Sequence, residues 1–137
     1  MFKTQAPGLD LTPRNCLAVA LLYCMASDGE MDQEEIGHLV SVMGQGATRQ
    51  AVDAALRYCR ATKPEEFAAA ASARLRPDQK LCIILNMIDS AMSDGQAEPE
   101  EQRLVMGFMQ AWGLPEAELE PHFRTLAAKN DRNVLDR

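Results

Sequence analysis

Ser27-Asp28-Gly29-Glu30-Met31-Asp32-Gln33-Glu34-Glu35 follows an apolar run, Cys16 to Met25, and leads into an amphipathic one. The arrangement recurs 66 residues later as Ser93-Asp94-Gly95-Gln96-Ala97-Glu98-Pro99-Glu100-Glu101. Laying residues 16–46 over 82–112 keeps Cys16/Cys82, Ser27/Ser93, Asp28/Asp94, Gly29/Gly95, Glu34/Glu100, Glu35/Glu101 and Met43/Met109 identical. Leu17 with Ile83, Leu21 with Met87, Leu22 with Ile88, Leu39 with Val105 and Val42 with Phe108 stay apolar. Two copies imply internal pseudo-two-fold symmetry within one domain, since a solenoid stacks at least three units.

On either side of the two acidic elbows the pattern is helical. Thr12 and Pro13 read as the cap and first residue of a helix. Cys16 to Met25 is apolar all round, as suits the middle of a bundle. Asp28-Gly29 is a stop, and Asp32-Gln33-Glu34-Glu35 an acidic start. Ile36, Leu39, Val40 and Met43 then mark one buried face, which Gly44 and Gly46 end. Thr48 opens a helix over 48–61 that buries Val52, Ala55, Leu56 and Cys59. Thr62-Lys63-Pro64-Glu65 reads as a second capping box, opening an alanine-rich helix from 64 to about 75.

The fifth helix, 77–92, repeats the first, with a polar stripe of Asn86, Asp89, Ser90 and Ser93 assigned to solvent. Pro99 starts a sixth, which buries Leu104, Val105, Phe108, Met109 and Trp112. Gly113-Leu114-Pro115 turns the chain into a last segment carrying Leu119, Phe123 and Leu126, where Pro121 predicts a kink or two short pieces. The expectation is an all-α fold. It is a single bundle of about seven helices over residues 1–137, with an irregular lead-in at 1–12 and a frayed tail at 129–137.

Composition narrows the function. A chain of 137 residues is large enough to bury a core, and its net charge of −6 argues against binding nucleic acid and for a cation or a basic partner. Lys3 and Arg14 before Cys16 to Ala26 superficially suggest a signal peptide. Bulky Tyr23, acidic Asp10 and the recurrence of the run in mid-chain argue against one. Runs of about 11 residues are too short to span a bilayer, so no membrane insertion is expected. The four cysteines, Cys16, Cys24, Cys59 and Cys82, form no CxxC pair and lie far from a ligand spacing with His38 or His122. Four buried thiols in a reducing, cytoplasmic compartment are expected.

The elbows hold the candidate chemistry. Asp28, Glu30, Asp32 and Glu35 crowd four carboxylates together, and a hard cation such as Ca²⁺ or Mg²⁺ would relieve their repulsion. The second elbow offers Asp94, Glu98 and Glu101, with Gln96 in place of a carboxylate. Neither is an EF-hand. Counted from Asp28, the sixth position is Gln33 where glycine is required, and the twelfth is Leu39 where a bidentate glutamate belongs. Helix capping by Asp32, the dipole preference of Glu34 and Glu35, and turn formation by Asp28-Gly29 account for part of the acidity without a metal. Asp28 and Glu30 are the residues capping explains least.

An apolar helix, Asp28-Gly29-Glu30, an acidic helix start and a second Asp94-Gly95 copy resemble the tellurite-resistance TerB-like family over about residues 13–125. The related N-terminal domain of membrane-anchored DnaJ-type co-chaperones has similar motifs. The resemblance implies an all-helical fold of about seven helices and a role in metal sensing or stress-linked protein complexes. Its acidic positions fall on Asp28, Glu30 and Glu35, and on Asp94 and Glu101. The chain departs from the family at Ser27 and Ser93, where alanine is usual, and at Gln96, where glutamate is usual.

Neither a J domain nor a membrane anchor is expected. No activated nucleophile, histidine beside the acids, phosphate loop or cofactor motif is found, so the expected function is non-enzymatic. The expectation is divalent-cation binding together with docking to an unknown protein partner. A pure protein-interaction domain without metal is the alternative.

Overall fold

The computed structural model describes residues 8–25, 33–44, 48–92 and 99–136, with only the backbone of Glu35. The described residues form α1 (Pro13–Met25), α2 (Gln33–Met43), α3 (Arg49–Ala61), α4 (Pro64–Ser72), α5 (Pro77–Met92), α6 (Pro99–Trp112) and α7 (Glu116–Asn130), then a 3-10 turn (Arg132–Asp136). No strand occurs among them. The all-α expectation of about seven helices is met.

α1 is the hub, packing against α2, α3 and α5. Its run of small and branched apolar residues leaves no side for solvent: Cys16, Ala18, Val19, Ala20 and Leu22 are wholly buried, and Leu21 nearly so. Fully burying a leucine or valine stabilises the fold by about 1.5–3 kcal/mol, so this short segment concentrates the hydrophobic gain. Thr12 caps it as expected, its Oγ1 accepting from the Asn15 N–H at 3.1 Å. Thr48 does the same for α3 through the Ala51 N–H, at 3.1 Å.

α2 ends at Gly44, whose φ of +87° is left-handed. The Gly44 N–H bonds the Val40 carbonyl at 3.3 Å. Arg14, in the first turn of α1, donates from Nη1 to the carbonyls of Val42 at 3.1 Å and Met43 at 3.2 Å. A cation thus sits at the negative end of the α2 dipole and ties it to α1. α6 ends by the same logic at Gly113, where the Leu114 N–H reaches back to the Met109 carbonyl at 2.9 Å in a Schellman closure.

Behind α1 lies a connected aromatic cluster. Phe67 packs on Tyr23, Tyr58 and Phe108, and Phe108 packs on Trp112, with ring centroids 5.2–6.4 Å apart throughout the cluster. The alanine-rich α4 lets α6 approach closely enough for the buried Trp112 Nε1 to donate to the Ala68 carbonyl at 2.9 Å.

Several expectations require correction. The cap of α4 is Lys63 and not Thr62, and Glu66, not Glu65, closes the box by accepting from the Lys63 N–H at 3.1 Å. That helix ends at Ser72, short of 75. On α3, Val52 and Ala55 are buried as expected and Tyr58 joins them, drawn in edge-on to Phe67, while Leu56 and Cys59 are half-buried. Pro121 does not split α7, which runs unbroken from Glu116 to Asn130. Its missing N–H falls opposite the carbonyl of exposed Ala117, where water can serve.

Residues 129–130 are not frayed. Lys129 Nζ reaches Asp89 Oδ1 at 3.1 Å, and Asn130 Nδ2 reaches the same oxygen at 2.8 Å. Asp89, read as a solvated stripe residue, therefore fastens the end of α7 to α5. Its partial burial opposes ionisation, but the hydrogen bonds from Asn130 and Lys129 outweigh this and hold the carboxyl below its usual range.

The repeat keeps its spacing at the helix starts, since α2 opens at Gln33 and α6 at Pro99, 66 residues apart. Burial differs between the copies. Cys16 is enclosed, whereas its counterpart Cys82 is exposed.

Candidate functional site

Of the seven carboxylates predicted to ligate a metal, Asp28, Glu30, Asp32, Asp94 and Glu98 lie outside the described residues, as does Gln96. Glu35 falls in the first turn of α2, its side chain undescribed. Glu101 is the one member whose side chain is described, half-buried in the first turn of α6. Its charge is felt at Cys24, in the last turn of α1. Among the described residues, no three His, Cys, Asp or Glu side chains stand close enough together to hold a metal ion.

The thiols do not all follow the expectation of burial. Cys16 and Cys24 are buried, Cys59 is half-buried and Cys82 is exposed on α5. Burial pushes the Cys16 thiol up to about 11 and those of Cys24 and Cys59 up to about 12. All three are held protonated at neutral pH, and thiolate is the reacting species. A maleimide or disulfide reagent is accordingly expected to label Cys82 in the native protein, with the other three reacting only on unfolding. Mass spectrometry after timed labelling checks this, and equal rates at all four would contradict the packing.

A groove of about 550 Å³ lies between α5, α6 and α7. Its floor is Ile88, Ala91, Val105, Met109 and Leu119, all buried. Its lips are Met106 and Phe123, exposed by 51% and 47%. Glu101, Glu116 and Glu120 supply the charge of the lining, and Glu120 Oε1 also accepts from Arg124 Nε at 2.9 Å. No basic residue lines it among the described residues.

The sequence reading missed this groove. Phe123 shares its apolar spacing with Leu119 and Leu126, which gives no local sign that it stays exposed. Its exposure arises because α7 packs on α5 with Leu119 inward, which leaves the next turn overhanging. Met106 did carry a signal, since it stands off the Val105, Phe108, Met109 and Trp112 face of α6.

No described helix is long and apolar enough to cross a membrane. No curated protein and no solved structure matches the chain. The model of one family, Tellurite resistance protein TerB, matches residues 14–122. That family is not a known enzyme family, and it sets the chain in a tellurite-resistance-like context. The match spans α1 to α6, the intervening elbows and the first half of α7, and on it the chain belongs to the TerB family.

Proposed function

We propose that the chain is a non-enzymatic module that binds a divalent cation at its acidic elbows and acts through contact with another protein. The observation that carries this reading is the matched start of α2 and α6, each opening directly after a carboxylate-rich stretch. Glu34 and Glu35, like Glu100 and Glu101, thereby fall in first turns. The donor set is oxygen alone, which suits Ca²⁺ or Mg²⁺ better than a soft metal. We place the module in the cytoplasm, in keeping with its free thiols.

Thermal unfolding under Ca²⁺, Mg²⁺ and Mn²⁺ tests the cation. A ligand at about 100 times its Kd adds about 2.7 kcal/mol, a rise of roughly 10 °C in Tm for a chain of this size. The expected result is such a rise with one of these ions, abolished in Asp28→Asn/Glu30→Gln. An unchanged Tm at millimolar metal, or an equal rise in the variant, would sink the reading. A second reading, a co-chaperone-like interaction domain without metal, is favoured by the groove between α5, α6 and α7, whose half-exposed Met106 and Phe123 are left without cover.

A further inference from the structure

We infer that the groove between α5, α6 and α7 docks a basic amphipathic helix of a partner protein. The inference rests on reading the groove as an interaction face and is independent of whether the elbows hold a cation.

Three features select this occupant. The first is shape. A pocket for a small molecule encloses most of its ligand, whereas here the two lips are half-exposed and the space opens along α6 and α7. A helix laying one apolar face into a groove tolerates that openness, because its opposite face stays in water.

The second is the lining chemistry. Met109 on the floor, Met106 on the lip and Met92 at the edge are unbranched thioether side chains that adapt to an incoming apolar surface. The aromatic anchor they surround is Phe123. The polar part of the described lining is Gln102 and three glutamates.

The third is charge. Among the described residues, every ionisable one lining the groove is a glutamate, Glu101, Glu116 or Glu120, and the chain as a whole carries −6. Glu120 shares its charge with Arg124, whose Nε lies 2.9 Å from Oε1, and Glu101 and Glu116 add to the negative lining. A helix flanked by lysine or arginine gains from all three sites, while one flanked by acids is repelled. These contacts lie at the solvent boundary, so their contribution falls as salt rises.

A displayed library of random 16-residue helices, selected on the full chain and counter-selected on Phe123→Ser, reads the preference directly. Phe123 is exposed, so the serine variant is expected to keep the native circular dichroism and Tm. Recovered sequences are expected to carry Leu, Met or Phe at i, i+4 and i+7 with Lys or Arg beside them. Their synthetic peptides should bind about tenfold more weakly to Glu116→Lys/Glu120→Lys, and more weakly again in high salt.

Recovery of amphipathic helices that lack basic enrichment would overturn the charge argument while leaving the groove an interaction face. Recovery only of peptides that bind Phe123→Ser equally well would overturn the groove itself. Self-association of the free chain that Phe123→Ser abolishes would replace the partner helix with a second copy.

Discussion

Phe67→Ala is expected to destabilise the protein by about 3–5 kcal/mol, the usual cost of emptying a buried phenylalanine site. For a chain of this length that corresponds to a fall of about 10–20 °C in Tm. Phe67 is wholly buried and touches Tyr23, Tyr58 and Phe108, which come from α1, α3 and α6. The cavity would therefore open where four helices meet, with little freedom to collapse. The loss is a large fraction of the 5–15 kcal/mol that typically holds a domain folded. Chemical denaturation measures it. A cost below about 1 kcal/mol would mean that the aromatic cluster does not hold α4 against the rest.

Gly44→Ala is expected to cost about 2–3 kcal/mol by two additive routes. A φ of +87° is strained for any residue with a Cβ, at about 1–2 kcal/mol. The added Cβ would also stand 2.5 Å from Arg14 Nη1, forcing the guanidinium off the Val42 and Met43 carbonyls. Losing those charge-assisted hydrogen bonds accounts for the remainder. Arg14→Ala separates the routes, because in that background Gly44→Ala should retain only the backbone strain. If the two substitutions proved fully additive in denaturant melts, the contact between Arg14 and Gly44 would carry no energy.

Local signals in the sequence located most helix ends. Thr12, Thr48 and Pro99 stand where the helices start, because capping chemistry acts within one turn and is written in adjacent residues. What the sequence hid depends on distant partners. Arg14 closes α2 only because α1 and α2 lie side by side. Asp89 meets Lys129 and Asn130 from 40 and 41 residues away. Phe123 has the spacing of a core residue and becomes a lip only through the way α7 crosses α5.

The same distinction governs the sites. Carboxylate crowding is visible in the order Asp28, Glu30, Asp32, whereas the groove needs three helices at once. Among the described residues, Glu101 belongs to both, as a predicted ligand and as part of the groove lining.

The most direct test of the cation reading is a crystal of the full chain grown or soaked with Mn²⁺ and measured at a wavelength where manganese scatters anomalously. The account predicts a peak within bonding distance of Asp28 and Glu30 carboxylate oxygens, with a second at Asp94 and Glu101 if the two copies act alike. An anomalous map featureless at both elbows, or showing manganese only at surface carboxylates such as Glu118, would contradict it.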